Sequence, residues 1–256
     1  MQDKLDGLSR RAFLSSTGAL IVAIATPAEW ASAALVEGET AAAAGRPREK
    51  LSSYISIERD GTVIGYYGKI DGGQGLETSI AQLVAEEIDV PWERVRVVMG
   101  DTGQCVNMGG ATAGNGLRQG GIIMRQTAAE ARRLLIEMGG KTLGVPPADL
   151  MVTDGVVHSV ADPKKRVSYA ELIGGRKFDS PVEWKGEAQQ LTVKVRAPLK
   201  KPADFKVIGK SYPRRDMPGK VFGTLKQVTD LKLPRMVHAR MIRPPVAGAV
   251  PVTVDE

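Results

Sequence analysis

Residues 68–87, GKIDGGQGLETSIAQLVAEE, constrain the chain more than any other stretch, because a glycine turn sits between a strand pattern and a helix pattern. Ile80, Leu83, Val84 and Ile88 recur at three- and four-residue spacing, the signature of a helix with one apolar face. Gly72, Gly73 and Gly75 surround a single polar side chain, Gln74. Glycine admits positive φ and lets a backbone come close to a ligand. The amides at the start of the helix would face whatever occupies the turn, and they favour an anion. Gln74 adds an amide that both donates and accepts. The turn therefore suits a polar group of the phosphate or pterin kind. The plain alternative is a strand–turn–helix connection that holds no ligand.

Two familiar phosphate motifs do not fit. A dinucleotide turn needs GxGxxG, but Gly73-Gln74-Gly75 is followed by Thr78 where the third glycine belongs. A P-loop needs GxxxxGK[ST], but Asp204 stands where Gly209-Lys210-Ser211 would require the first glycine.

Around this turn the pattern predicts an α+β fold of strand–strand–helix–strand units. Tyr54–Glu58 alternates and ends at the turn signal Asp60-Gly61, and Thr62–Tyr67 forms the return strand. Asp89-Val90-Pro91-Trp92 stops the helix, and Val95, Val97 and Met99 alternate with Arg94, Arg96 and Val98 as the next strand. Gly109, Gly110, Ala111, Thr112, Ala113, Gly114, Asn115 and Gly116 then make a loop with almost no side-chain bulk. Successive bare amides can cup an anion, and glycines can equally serve tight helix packing. The following helix carries Ile122, Ile123, Leu134, Leu135 and Met138, with a stop expected at Gly139-Gly140. Residues 141–173 read as a small α+β appendage. It holds a hairpin over Met151–His158, with His158 pointing to solvent, and a capping box between Ser168 and Glu171.

With aromatics at 5%, the core is expected to be aliphatic. One cysteine, Cys105, excludes an internal disulfide or a multi-cysteine cluster, and it reads as a small buried or loop residue. His158 and His238 stand too far apart in sequence to indicate a metal site. Between Lys185 and Arg243 fifteen Lys and Arg stand against four Asp and Glu. The positive charges are spread singly, with few aromatics and no recognition-helix pattern, so they read as a solvated or subunit-docking face rather than a nucleic-acid site.

The segment GGQGLETSIAQLVAEEIDVPWERVRVVMGDT resembles the cofactor-binding segment in large subunits of the xanthine dehydrogenase and aldehyde oxidase family. GGATAGNGLRQGGIIMRQTAAEARRLL, residues 109–135, resembles the loop and helix of that family that also wrap molybdopterin. Lys206–Asp216, Lys220-Val221-Phe222-Gly223 and Leu233–Arg240 resemble the start of its α/β hammerhead domain, with Arg235 in place of a glycine. The order of segments is most like beta subunits of the isoquinoline 1-oxidoreductase and nicotinate dehydrogenase type.

The resemblance implies a molybdopterin-binding segment over 51–205 and an incomplete hammerhead over 206–256; ahead of them, residues 1–33 read as a signal peptide and 34–50 as a flexible linker. It implies a cofactor held by Gly72, Gly73, Gln74 and Gly75 and by Gly110, Ala111, Thr112, Ala113, Gly114 and Asn115. The cofactor would be molybdopterin, in the cytosine dinucleotide form, with molybdenum. Iron–sulfur clusters would lie only in a small two-[2Fe-2S] partner subunit, with a cytochrome c subunit as onward acceptor and the remaining large-subunit domains as further partners. The implied activity is oxidation of aldehydes or N-heterocycles with a water-derived oxygen. The alternative is a non-catalytic remnant or docking module. The family's base is a glutamate in a Gly-x-Gly-Glu context, which this sequence lacks. No catalytic residue or metal ligand is therefore assigned, and the 256-residue chain alone is expected to be inactive. Of the glutamates nearest the turn, Glu77 reads as a partner of the helix dipole, and Glu86 and Glu87 lie too far along the helix to reach a substrate proton.

Ser9-Arg10-Arg11-Ala12-Phe13-Leu14 resembles a twin-arginine export signal, followed by an apolar run and Ala31-Ser32-Ala33 as a cleavage site. The run is far shorter than the ~20 residues a bilayer span needs. The mature protein is thus expected in the periplasm. Replacing Arg10 and Arg11 by Lys should leave the precursor inside the cell, as fractionation would show; unchanged export contradicts the reading.

Overall fold

The computed structural model describes residues 46–173, 175–186, 192–241, 243 and 246–249. The expected signal peptide and the linker up to residue 45 lie outside these residues. Strand β1 (Ile55–Ile57) pairs antiparallel with β2 (Val63–Tyr67), and Ile57 stands opposite Val63. Gly61 takes φ +84° in the expected turn. Helix α1 (Leu76–Ile88) then crosses to β3 (Val95–Met99), which runs parallel to β2 with Tyr67 opposite Met99. Its left-handed C-cap, Asp89, ends α1 ahead of Pro91, as the sequence predicts.

Helix α2 (Gly121–Leu143) is the spine of the molecule and packs along α1. It does not stop at Gly139-Gly140 but runs on to a left-handed cap at Gly144. The two buried glycines serve packing instead. A Cβ at Gly139 would lie 2.7 Å from Val157 Cγ1, and one at Gly140 would lie 2.9 Å from the Val145 carbonyl oxygen. Gly120 and Gly121 do the same at the other end, against the Tyr67 hydroxyl (2.6 Å) and Leu83 Cδ1 (2.8 Å).

The 141–173 region forms an antiparallel sheet of β4 (Leu150–Thr153), β5 (Val156–Ser159) and β6 (Arg166–Ser168), then the short helix α3 (Tyr169–Ile173). The capping box is present: Glu171 accepts from the Ser168 amide at 2.7 Å, and the Glu171 amide donates to Ser168 Oγ at 3.2 Å. His158 is only half-buried and lies 3.1 Å from Thr153 Oγ1. The region is no appendage, because Leu150, Val152, Val157 and Val167 join one apolar core with Ile80, Val84 and Leu135. A hairpin of β7 (Glu183–Lys185) and β8 (Thr192–Lys194), not read from the sequence, completes the strands among the described residues.

The core is not purely aliphatic. Tyr54, Tyr67 and Tyr169 are fully buried, and each hydroxyl donates to a backbone carbonyl, of Arg48, Gly116 and Ile88 respectively. A buried phenol is tolerated where its hydroxyl finds such a partner. Residues 46–50 are also packed rather than a free lead-in. Arg46 lies over the Tyr66 ring at 3.5 Å, and Arg48 over Trp184 at 4.0 Å.

The basic second half is bound back onto the helices by buried carboxylates. Glu86, 1% exposed, accepts three successive amides, of Lys206 (2.9 Å), Val207 (2.6 Å) and Ile208 (3.0 Å). Glu87 accepts from Arg125 (2.8 Å) and the Lys200 amide (3.1 Å). Glu130 accepts the amides of Arg196 and Ala197. Further on, Tyr212 stacks on Trp92, and Arg215 lies over the same indole while donating to the Val95 and Trp92 carbonyls. Packing therefore runs through the boundary expected at residue 205. Helix α4 (Met217–Val221) follows, and the described residues beyond it contain no strand. Arg235 adopts φ +59°, a left-handed conformation that glycine favours.

Burial tends to raise the pKa of Glu86, but the amides of Val207, Ile208 and Lys206 together with Lys200 outweigh it and hold the carboxyl below its ordinary value. A depressed folded-state pKa contributes stability above the unfolded value of ~4.3, and this is lost as pH falls through the folded value. Glu86→Ala should lower the unfolding free energy by about 3–5 kcal/mol by stranding buried partners. Urea titrations across about pH 7 to 3 should show a smaller acid loss of stability in Glu86→Gln than in wild type. Equal stability and equal pH dependence would refute the role.

Candidate functional site

Both sequence-predicted loops lie at the C-terminal end of the parallel pair β2–β3, the end where parallel strands commonly present ligands. The Gly100 amide donates to the Tyr67 carbonyl at 2.9 Å and extends the pairing to that edge. Gly68 follows, pressed so closely on the next segment that a Cβ would sit 1.6 Å from the Val106 carbonyl oxygen. No other residue fits there, and the contact brings the chain leading into the second loop alongside the chain leading into the first.

The first loop differs from expectation in what its amides face. Asp71 Oδ1 accepts from the amides of Gly73 (2.8 Å) and Gly75 (3.2 Å), so the chain itself supplies the turn's anion. Gly75, at φ +82°, is the N-cap of α1, and Arg214 closes over it while donating to the Gly73 carbonyl at 2.8 Å. Arg214 also pairs with Asp216 at 2.6 Å, and Arg214 and then Lys220 hold that carboxyl well below the usual range. Gly72, Gly73 and Gln74 are exposed, and the Gln74 amide is the polar group this turn offers outward.

The second loop is held from beneath. The Lys69 side chain, 1% exposed, donates through Nζ to the carbonyls of Gly110 (2.9 Å) and Gly109 (3.3 Å). Burial pushes its pKa down. Tyr67 fixes the loop's far end through the Gly116 carbonyl at 2.8 Å. Asn115 is buried and works inside the loop: its oxygen accepts the Thr112 amide at 3.1 Å, and its nitrogen donates to the Gly110 carbonyl at 3.1 Å. Gly110, Ala111, Thr112, Ala113 and Gly114 are exposed, and Ala113 and Gly114 both take positive φ. A Cβ at Gly110 or Gly114 would meet nothing within 4 Å, so the loop's outer face is open backbone. That face, with the Gln74 amide, fits a ligand recognised through many hydrogen bonds. The amides of Gly73 and Gly75 do not, because Asp71 holds them.

The other titratable groups near the loops have structural duties. Burial raises the pKa of Glu77, partly offset by Arg215 at 4.0 Å. Glu86 and Glu87 are turned toward the Lys206–Ile208 amides and toward Arg125 and Lys200, as described above. Cys105 is buried, with Sγ 3.4 Å from the Val98 carbonyl, and burial pushes its thiol up. No group of three His, Cys, Asp or Glu that could hold a metal occurs among the described residues, and no helix there is long and apolar enough to cross a membrane. A cleft of about 670 Å³ between α2 and the β7–β8 hairpin contains none of the loop residues.

Sequence reasoning missed Lys69, Tyr67 and Arg214. Asp71 was findable, since an aspartate two residues before a glycine is an ordinary turn signal. Lys69 and Tyr67 gave no local signal, because their partners lie about forty to fifty residues away.

Residues 29–218 match the family model described as a molybdopterin cofactor-binding domain. The chain is 38% identical to a nicotinate dehydrogenase subunit from Pseudomonas putida over 94% of its own length and 19% of that protein's. It is 28% identical to the beta subunit of isoquinoline 1-oxidoreductase from Brevundimonas diminuta, over 97% of its own length and 35% of the relative's. It aligns with the crystal structure of quinoline 2-oxidoreductase from Pseudomonas putida 86 at 28% identity and a TM-score of 0.40, over 47% of this chain and 15% of that one. The chain thus spans between a fifth and about a third of the two curated relatives' lengths.

Proposed function

The chain belongs to the molybdopterin cofactor-binding domain family, and on that premise we propose that it forms a cofactor-holding part of a molybdenum hydroxylase large subunit. The observation that carries the reading is the open backbone face of Gly110–Gly114, held from below by Lys69 and Tyr67. Gln74, Ala111, Thr112, Ala113 and Gly114 are the contacts this chain offers outward; Gly72, Gly73, Gly75 and Asn115 shape the two loops that carry them. When bound, molybdopterin with molybdenum supplies the redox chemistry by which a water-derived oxygen enters an electron-poor carbon of an N-heterocycle or an aldehyde. The chain's own residues contribute binding and orientation. With Glu86 and Glu87 committed to the amides and side chains of the second half and of α2, neither is free to act as a base.

The cytosine dinucleotide form, the small two-[2Fe-2S] subunit, the cytochrome c acceptor and export by the twin-arginine route belong to the same proposal. Further polypeptide is supported by exposed apolar side chains past α4. Phe222, Val228, Leu233, Val237 and Met241 are each more than two-thirds exposed, a density an isolated soluble surface seldom carries.

Gln74→Ala tests the reading in the complete enzyme. Because Gln74 is exposed, the unfolding free energy should change by no more than about 0.5 kcal/mol. Loss of a hydrogen bond to a charged group, about 1.5–3 kcal/mol, should weaken cofactor retention roughly ten- to a hundredfold and lower molybdenum per protein. Equal molybdenum in variant and wild type would remove Gln74 from the site. A complete wild-type enzyme without molybdenum would favour the non-catalytic docking module.

A further inference from the structure

Among the described residues, Lys69 is a buried cation with no carboxylate against it: it donates to the carbonyl oxygens of Gly110 and Gly109. Such an arrangement is costly unless it serves something, since a buried charge is ordinarily paired. Its consequence follows from peptide geometry. The described residues contain no cis peptide, and in a trans peptide the C=O and the following N–H point in opposite directions. Drawing the Gly109 and Gly110 carbonyls inward to one Nζ therefore turns the N–H groups of Gly110 and Ala111 outward. Asn115 also donates to the Gly110 carbonyl, at 3.1 Å. Neither outward N–H has a partner among the described residues, both residues are exposed, and a Cβ at Gly110 would meet only open space. Two successive outward amides are the elements of an anion-binding concavity.

We propose that Lys69 is a positioning residue that presets the amides of Gly110 and Ala111 to receive an oxyanion of the bound cofactor. Lys69 does not touch the anion. It fixes the two peptide planes before the ligand arrives, so that binding does not have to order them. Its positive charge behind the amides favours the anion further. The inference rests on the cofactor-holding function above, and it assigns a task to a residue that neither loop motif contains.

The test uses the full 256-residue chain and inorganic pyrophosphate as the probe, with backbone amides followed by NMR. In wild type the Gly110 and Ala111 amides should shift and saturate. In Lys69→Met, which keeps the stem and removes the charge, the same titration should be at least about tenfold weaker. Hydrogen exchange at the Thr112 and Asn115 amides, which are bonded within the loop, should also rise, a readout independent of any activity. Unchanged affinity in Lys69→Met would overturn the proposal, as would wild-type shifts confined to surface lysines. If the variant does not fold, the wild-type titration still decides, because no saturable shift at these two amides sinks the idea. The two claims fail separately. Lys69-dependent pyrophosphate binding in a chain whose complete enzyme lacks molybdenum would sink the molybdenum reading alone. Molybdenum retained equally by Lys69→Met and wild-type complete enzyme would sink the role of Lys69 alone.

Discussion

A carboxylate that gives up its water must find donors inside the protein, and Glu86 finds three in a row in the amides of Lys206, Val207 and Ile208. Glu87 and Glu130 repeat the arrangement at Lys200 and at Arg196 and Ala197. These acceptors sit on α1 and α2, and together they turn residues 196–208 into a strap across both helices. The strap continues to Tyr212 and Arg215 on Trp92 and to Arg214 over the Gly72–Gly75 turn. The position of the first loop thus depends on carboxylates at the far end of α1.

A second constraint is closeness. Gly116, Gly120 and Gly121 let α2 and its lead-in press onto Leu76, Tyr67 and Leu83. Gly139 and Gly140 let the same helix meet the second sheet and the turn after it. Tyr67 uses that closeness twice, filling the space the glycines leave and bonding the Gly116 carbonyl. The glycine-rich stretch therefore divides by position. Gly110 and Gly114 face open space, whereas Gly116 to Gly121 are packed.

Much of this is legible in the sequence. The period of Ile80, Val84 and Ile88, the turn at Asp60-Gly61 and the Ser168–Glu171 box are local signals, and each became the predicted element. The helix end at Gly139-Gly140 was misread because a glycine pair signals a stop only when nothing packs on it, and Val157 does. The aliphatic core was misread because composition counts tyrosines without showing whether their hydroxyls have partners. Most Lys and Arg of the basic second half are exposed, as a solvated or subunit-docking face requires, but its backbone contacts were not legible because the carboxylates that accept them lie 66 to 122 residues earlier. At the site, glycine content marked both loops, but only geometry showed that Asp71 fills one and Lys69 bonds the carbonyls of the other.

We propose that the outer face of Gly110–Gly114 and the Gln74 side-chain amide hold the cofactor. A crystal structure of the complete enzyme with its cofactor bound tests it most directly. Polar cofactor atoms should lie within ~3 Å of Gln74 and of the amides of that loop, with Asp71 still holding the amides of Gly73 and Gly75. A cofactor seated elsewhere, with Gly110–Gly114 left bare or covered only by protein, would contradict it.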